Sequence, residues 1–314
     1  MVLAIKQVIP RSNISFLARE YTRSILERAT GVDQVFVVSD VISLLPLVRL
    51  IRRSSPSVVF LPSPRFSLAL AALLARVPTR VGTGYRWYSF LFNRRVYDHR
   101  KDARHHEAEY NLRMLATLGI DADLSLIAKI NLREEERVST DLWLREHLVT
   151  RNAPFIVLHM FSGGSAHGWP PERFVELGRI LKCHLNCEII LTGTESDRTG
   201  LQKAAQELVA EMSIGRTLPE LAALLERALA VVTVSTGPGH LAAALGTPTV
   251  GLNALPKAIS KERWGFRGDH VANISAPAIA GCPQCKECTC MERIEAPFVA
   301  EEVMKLIHST NPER

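Results

Sequence analysis

Short runs of apolar and β-branched residues alternate with stretches of helical period along most of the chain. This rhythm constrains the fold more than any other feature, because strand, helix and strand in succession is the pattern of a parallel sheet flanked by helices. In the first half, 14–17 reads as a strand, 21–29 as a helix, 34–38 as a strand and 44–52 as a helix. A strand over 57–61, a helix over 68–76 and a short strand over 79–82 follow. The rhythm pauses over 85–104 and resumes with a helix over 106–118. Leu112, Leu115 and Leu118 share one face of that helix, and Gly119 marks its end.

Composition turns polar between about 125 and 153, around a weakly amphipathic helix over 134–148. The boundary is read there, giving one domain over 1–140 and a second over 150–314. The second domain restarts the rhythm more strongly. A strand over 155–159 leads to Pro170 and Pro171, which suit a first helical turn, where a missing N–H costs little. Phe174, Leu177 and Leu181 continue that helix. Strands over 188–191, 231–234 and 249–252 follow, with Leu218, Leu221, Leu225 and Ala228 on one face of an intervening helix. Two Rossmann-like halves are expected, with ligand in a cleft between them.

At 314 residues the chain is long enough for two domains, and 47% hydrophobic with 22% charged residues excludes disorder as the main state. The net charge of +6 is too small over this length to imply nucleic acid, yet it suits an anionic substrate or a membrane surface. Apolar runs such as Leu68 to Leu74 fall far below the roughly 20 residues that cross a bilayer. Lys6 interrupts the apolar start and no small-residue cleavage site follows, so a cytoplasmic protein is expected.

Four loops of the second half carry residues suited to chemistry. Phe161-Ser162-Gly163-Gly164-Ser165-Ala166-His167-Gly168 lies between a strand and a helix start, where glycines let N–H groups approach an anion and His167 could donate. It also reads as a plain Gly-Ser turn. Thr192-Gly193-Thr194-Glu195 follows a strand; its carboxylate could accept ribose hydroxyls, or simply favour a helix N-terminus. In Ser235-Thr236-Gly237-Pro238-Gly239-His240, hydroxyls and glycines cluster at a strand end before an alanine-rich helix. Packing explains the alanines but not that cluster, so anion binding is expected. Cys282, Cys285, Cys288 and Cys290 crowd into nine residues. They could hold metal, although structural zinc sites pair two separated thiol pairs, and free or conditionally paired thiols are the simpler reading. Cys183 and Cys187 read as buried. His105, His106 and Glu107 read as a capped helix start. No nucleophile elbow, HExxH or phosphate-binding Walker pattern is present.

The stretches GWPPERFVELGRIL, EIILTGTESD, RTLPELAALLERA and VVTVSTGPGHLAAALGTPTVGL, with the late cysteine run and MERI, together resemble glycosyltransferase family 9, the ADP-heptose:lipopolysaccharide heptosyltransferases and their relatives. In the first half ISFLAREYTRSILERATGVDQVF, RVGTGYR and HHEAEYNLRMLATLG agree. The resemblance implies an α/β GT-B fold: two Rossmann-like domains, parallel sheets facing a central cleft, donor in the C-terminal domain and acceptor against the N-terminal one. It implies inverting transfer from a nucleotide-sugar donor, with ADP-heptose expected, and no metal or other cofactor. The acceptor would be an anionic lipid-linked oligosaccharide of the lipopolysaccharide core, reached at the inner face of the inner membrane.

Carried over by position, Ser235, Thr236 and Gly237 would hold the donor diphosphate, with Ser162, Gly163, Thr192, Gly193 and His240 around the donor. Glu195 would lie near the nucleoside and 216–221 near the base. His167 stands where many members carry Lys, and Ser235 where others carry Asp. Arg80, Arg86, Arg94, Arg95, Arg100 and Arg104 crowd the acceptor half and suit an acidic acceptor, or form a solvated basic face.

Family members open with a strand, a Gly-Asp loop bearing the expected base, and a helix. Here Met1 to Pro10 resembles the latter part of that helix; Val2, Ile5 and Ile9 form a stripe with no N-cap before it. A strand, loop and first turn would add roughly 15–25 residues, so an upstream start, with Met1 internal, is expected. No catalytic residue is assigned on that account. The alternatives are a non-catalytic nucleotide-sugar-binding protein and a thiol or metal protein built on the cysteine run.

Overall fold

A computed structural model of the chain describes residues 1–39, 42–148, 153–164, 166–280, 282 and 289–310. The chain divides into two compact units, Met1–Leu126 and Ile127–Arg314.

The first unit opens with helix α1 (Val2–Val8), which no side chain caps. Strand β1 (Ser15–Ala18), helix α2 (Glu20–Leu26), strand β2 (Gln34–Val37) and helix α3 (Leu44–Ser54) follow. Then come β3 (Val58–Phe60), α4 (Phe66–Leu74), β4 (Thr79–Thr83), β5 (Arg94–Val96) and α5 (Glu107–Arg113). All pairings are parallel, yet they form two separate sheets, β1-β2 and β3-β4-β5. The expected pause over 85–104 therefore hides β5, a three-residue strand with two arginines. The expected helix over 106–118 is α-helical only through α5 and tightens to 3-10 geometry over Met114–Leu118. Gly119 ends it at φ +74°, a left-handed position that suits glycine.

The second unit begins with α6 (Glu134–His147) and β6 (Phe155–His159), then α7 (Pro171–Leu185), β7 (Glu188–Gly193), α8 (Arg198–Leu208), β8 (Glu211–Ile214) and α9 (Leu218–Arg227). β9 (Ala230–Val234), α10 (Gly237–Leu245), β10 (Thr249–Asn253), α11 (Lys261–Trp264), β11 (Val271–Ser275) and α12 (Ala296–Thr310) complete it. Its six strands form one parallel sheet in the order β11-β10-β9-β6-β7-β8. Every residue of β6, β9 and β10 is buried, as strands covered on both faces require.

The two compact units meet in the chain at Leu126 and Ile127, inside the polar 125–153 stretch where the boundary is expected, and α6 belongs to the second unit because it packs on α9. Arg137 forks onto Glu226, Nε and Nη2 donating at 2.7 and 2.9 Å, and Arg227 forks onto Asp141 at 2.8 and 2.8 Å. The weak amphipathicity of α6 gives no hint of these pairs across some ninety residues. Cys187 is buried as expected, but Cys183 is exposed, on the solvent side of the last turn of α7. Among the described residues no helix is long and apolar enough to cross a membrane.

Candidate functional site

Parallel sheets present their loops and helix N-termini to ligands at the carboxyl ends of the strands. In the second unit those ends carry a row of polar side chains under the loops. His159 ends β6, in register with Thr192 of β7 and Thr233 of β9. The His159 Nδ1 lies 2.9 Å from the Thr192 hydroxyl, and the hydroxyls of Thr233 and Thr236 lie 3.0 Å apart. All four residues are buried. Burial lowers the His159 pKa from 6.5 to about 4, so its ring is neutral at pH 7. Sequence reading picks out Thr192 and Thr236 of this row but not His159 or Thr233, whose trace is a polar residue near the end of an apolar strand.

The loop after β6 is shaped by Gly163 and Gly164 at φ +55° and +83°, and the Ser162 hydroxyl closes it by donating to the Ala166 carbonyl at 2.8 Å. Buried Trp169 anchors its end, donating from Nε1 to the Ile294 carbonyl at 3.0 Å. A cavity of about 570 Å³ opens here, lined by Ser162, Gly163 and Gly164 with Asp197, Thr289 and Glu292. His167 is half-buried and does not line it.

At the end of β7, Thr192 turns inward and spends its hydroxyl on His159. Gly193 is a packing position: a Cβ there would stand 2.7 Å from Leu201. Glu195 is exposed and forked by Arg198 at 2.8 and 2.8 Å, which holds its carboxyl below the ordinary range. A Cβ at Gly215 would come within 3.5 Å of the Glu195 carboxylate, so this acid adjoins the turn that leads to Arg216. Arg216 bonds the Ser213 hydroxyl and lies 4.3 Å over the Trp143 ring.

After β9, Thr236 is buried, its hydroxyl 3.0 Å from that of Thr233. Gly237, at the start of α10, is exposed with open space around it. Pro238 has no N–H, and the amides of the first turn lack intrahelical partners. Gly239 lets the helix approach Phe266, whose ring would stand 2.0 Å from a Cβ placed there. His240 meets the same ring edge to face at 4.8 Å. The Ser235 hydroxyl donates to the Trp264 carbonyl at 3.3 Å, which ties this loop to the last residue of α11, the short helix that also carries Lys261 and Arg263. Those two cations were not anticipated.

Of the arginines in the first unit, Arg80 and Arg95 hold local backbone carbonyls, and Arg100 pairs with Glu107. Arg104 lies 3.7 Å from Asp102, whereas Arg86 and Arg94 are exposed without a side-chain partner among the described residues. His106 caps α5, its Nδ1 accepting from the Ala108 N–H at 3.1 Å, as a capped helix start predicts. Cys285 and Cys288 lie outside the described residues. Cys290 is buried in the core, and the Cys282 sulfur accepts from Arg293 at 3.5 Å. Among the described residues no three metal-ligating side chains converge.

The family model described as glycosyltransferase family 9 (heptosyltransferase) matches residues 66–293, most of the chain. The chain belongs to glycosyltransferase family 9. In this family 9 chain the matched stretch contains all three loops just described. The structure is similar to a family 9 glycosyl transferase from Veillonella parvula, with TM-score 0.81 and 18% identity, over 98% of this chain and 92% of that one. It is also similar to the E. coli ADP-heptose lipopolysaccharide heptosyltransferase II, with TM-score 0.77 and 21% identity over 98% and 93% of the two chains. For E. coli heptosyltransferase WaaC, solved with ADP, the values are 0.69 and 18% over 97% and 93%. These likenesses show the fold, the α/β GT-B architecture with parallel sheets that the motifs implied.

Proposed function

We propose that this chain transfers a sugar, heptose from ADP-heptose, to an anionic lipid-linked oligosaccharide of the lipopolysaccharide core, with inversion and without a metal ion. The observation that carries the reading is the carboxyl end of β9. There the exposed Gly237 opens α10, and Ser235 ties the loop to the cationic helix α11. A helix N-terminus with unpaired amides and nearby cations stabilises a diphosphate, both as bound donor and as the leaving group.

In the reaction the acceptor oxygen forms a bond to the anomeric carbon from the face opposite the nucleotide. The bond from that carbon to the diphosphate oxygen breaks, and ADP departs with the electron pair. The acceptor proton passes to a base, a step worth ~10²–10⁴-fold; no residue is assigned to it. Glu195, beside the turn into Arg216, is the group for the nucleoside hydroxyls, and exposed Arg86 and Arg94 suit acceptor phosphates.

Calorimetry with ADP-heptose, ADP-glucose and UDP-glucose, followed by sugar transfer onto heptose-deficient lipopolysaccharide in EDTA, tests the reading. Binding of the adenine nucleotides with EDTA-insensitive transfer is expected. Binding without transfer would instead support a nucleotide-sugar-binding protein, and tight binding of UDP-glucose alone would refute the donor assignment.

A further inference from the structure

Between Asp40 and Asp98 the chain holds nine arginines and no lysine, aspartate or glutamate. The net charge of +6 is therefore +9 in this stretch against −3 in all the rest. Five of the seven exposed phenylalanine, tyrosine and tryptophan side chains among the described residues fall in the same stretch: Phe66, Tyr85, Trp87, Phe90 and Tyr97. Single apolar side chains are ordinary on a protein surface, whereas rings gathered in a cationic, acid-free zone mark an interaction site. The proposed sugar transfer uses none of these rings.

Local structure turns the rings outward. After β4 the N–H groups of Ser89, Leu91 and Phe92 donate to the carbonyls of Arg86, Tyr88 and Ser89 at 2.9, 3.0 and 3.0 Å, a tight turn of three-residue period. Tyr88, Leu91 and Phe92 are buried and anchor it; Gly82 makes room for the Phe92 ring, which would stand 2.4 Å from a Cβ there. Trp87 and Phe90, three residues apart, are left in water at 73% and 64% exposure. Phe66, the first residue of α4, stacks on Trp87 at 4.9 Å and holds the indole in place. Cations frame the rings. Arg65 precedes Phe66, Arg86 precedes Trp87, and Arg94 and Arg95 follow on the edge strand β5, all four exposed. Arg95 donates from Nε to the carbonyls of Ser89 and Phe92 at 3.0 and 3.2 Å, which sets its guanidinium against the turn that carries Phe90. None of the four has a carboxylate partner among the described residues.

We propose that this face docks on an anionic phospholipid bilayer, with Trp87 and Phe90 entering at headgroup level and the arginines paired to lipid phosphates. Tryptophan and tyrosine rings, apolar in body and polar at one edge, suit the boundary between hydrocarbon and water. Guanidinium groups pair with phosphate oxygens, and a cationic surface is drawn to an anionic leaflet. A second copy of the chain fits less well, because a symmetric pair through this face sets arginines against arginines with no carboxylate between them. The contact is a surface one: among the described residues no helix is long and apolar enough to cross a membrane. The proposal stands apart from the donor and acceptor readings, since phospholipid alone supplies both the phosphates and the apolar layer.

Flotation of the full chain with vesicles of phosphatidylglycerol and phosphatidylethanolamine, free of lipopolysaccharide, tests it beside vesicles of phosphatidylcholine. Binding to the anionic vesicles is expected, weakened by salt and lost on phosphatidylcholine. Trp87→Ser and Phe90→Ser should each weaken it about tenfold, and Arg65→Gln about fivefold. Tyr21→Ser and Phe298→Ser, which remove exposed rings outside the stretch, should leave it unchanged. Lipids brominated on the acyl chain should quench tryptophan emission of the wild type, and Trp87→Phe should still bind while losing that quenching. Absence of binding to anionic vesicles overturns the proposal, as does undiminished binding by Trp87→Ser and Phe90→Ser. Binding only after heptose-deficient lipopolysaccharide is added would overturn it in favour of the acceptor. Tighter binding to single-stranded RNA than to the vesicles would overturn it in favour of nucleic acid.

Discussion

His159 makes the stability of the second unit depend on pH in a direction that can be worked out. Its ring is 8% exposed and bonded to Thr192 at 2.9 Å. Burial is the main cause that lowers its pKa from 6.5 to about 4; the charge of Asp197 and a backbone hydrogen bond with Phe161 oppose it more weakly. Above about pH 6.5 the ring is neutral in both the folded and the unfolded chain, and the folded state keeps the full benefit. Between about pH 6.5 and pH 4 the unfolded chain binds a proton that the folded one refuses, so each step toward acid favours unfolding. Below about pH 4 both states are protonated and the effect levels off. At 1.36 kcal/mol per pKa unit the whole window is worth on the order of 3 kcal/mol, a large share of a stability of about 5–15 kcal/mol.

Urea denaturation of the wild type and of His159→Gln at several values between pH 7 and pH 4.5 reads this directly. Asp33, Glu195, Glu220 and Glu262 also carry lowered pKa values, so both proteins weaken in acid from that cause. Comparing the two pH slopes removes that shared part. The wild type is expected to lose roughly 2–3 kcal/mol more than the variant over this range. Equal slopes, or a His159 ring proton that titrates near pH 6.5 by NMR, would refute the reasoning whatever the variant's absolute stability.

Three more outcomes are expected. Gly239→Ala drives a methyl to within 2.0 Å of the Phe266 ring, which also faces Gly251 at 2.7 Å; it should cost about 1–3 kcal/mol by thermal denaturation and weaken nucleotide-sugar binding, with Phe266→Leu restoring part of both. Arg137→Ala removes the forked pair that ties α6 to α9; a loss of about 1 kcal/mol is expected, smaller in 1 M salt, with a double-mutant cycle through Glu226→Ala as the check. Glu195→Gln leaves an exposed position exposed, so stability should change by less than about 0.5 kcal/mol while affinity for ADP-heptose, read by calorimetry, falls about tenfold.

What the sequence disclosed follows burial. β6, β9 and β10 are legible because strands covered on both faces read as unbroken apolar runs. β5 and β8 are not, because both lie at sheet edges, where one side faces water and Arg94 or Glu211 fits as well as Val. The loops were found from their glycines and hydroxyls, but spacing alone does not say which hydroxyl turns outward. Thr192 and Thr236 both turn inward: register sets Thr192 beside His159, and the turn after β9 folds Thr236 back onto the Thr233 hydroxyl. The place of α6 in the second unit and the anchoring of Trp169 to Ile294 depend on residues far apart in the chain, which no local pattern records.

Within the proposed function, electrostatics favours one of the two glycine loops for the diphosphate. The cavity after β6 is lined by Asp197 and Glu292 as well as by glycine amides, and carboxylates at such range oppose a dianion. The start of α10 offers first-turn amides without intrahelical partners, and α11, which carries Lys261 and Arg263, is tied to the preceding loop through the Ser235–Trp264 hydrogen bond. Under the proposed function the diphosphate is therefore assigned to the start of α10 as a proposal, and the carboxylate-lined cavity to sugar hydroxyls, which donate to such groups. The two assignments separate by ligand. Lys261→Ala should weaken ADP and ADP-heptose alike, because both carry the diphosphate. Glu292→Gln should leave ADP affinity unchanged and weaken only ADP-heptose. A Glu292→Gln protein that binds ADP more tightly would show that the carboxylate had been repelling phosphate, and would move the diphosphate into the first loop.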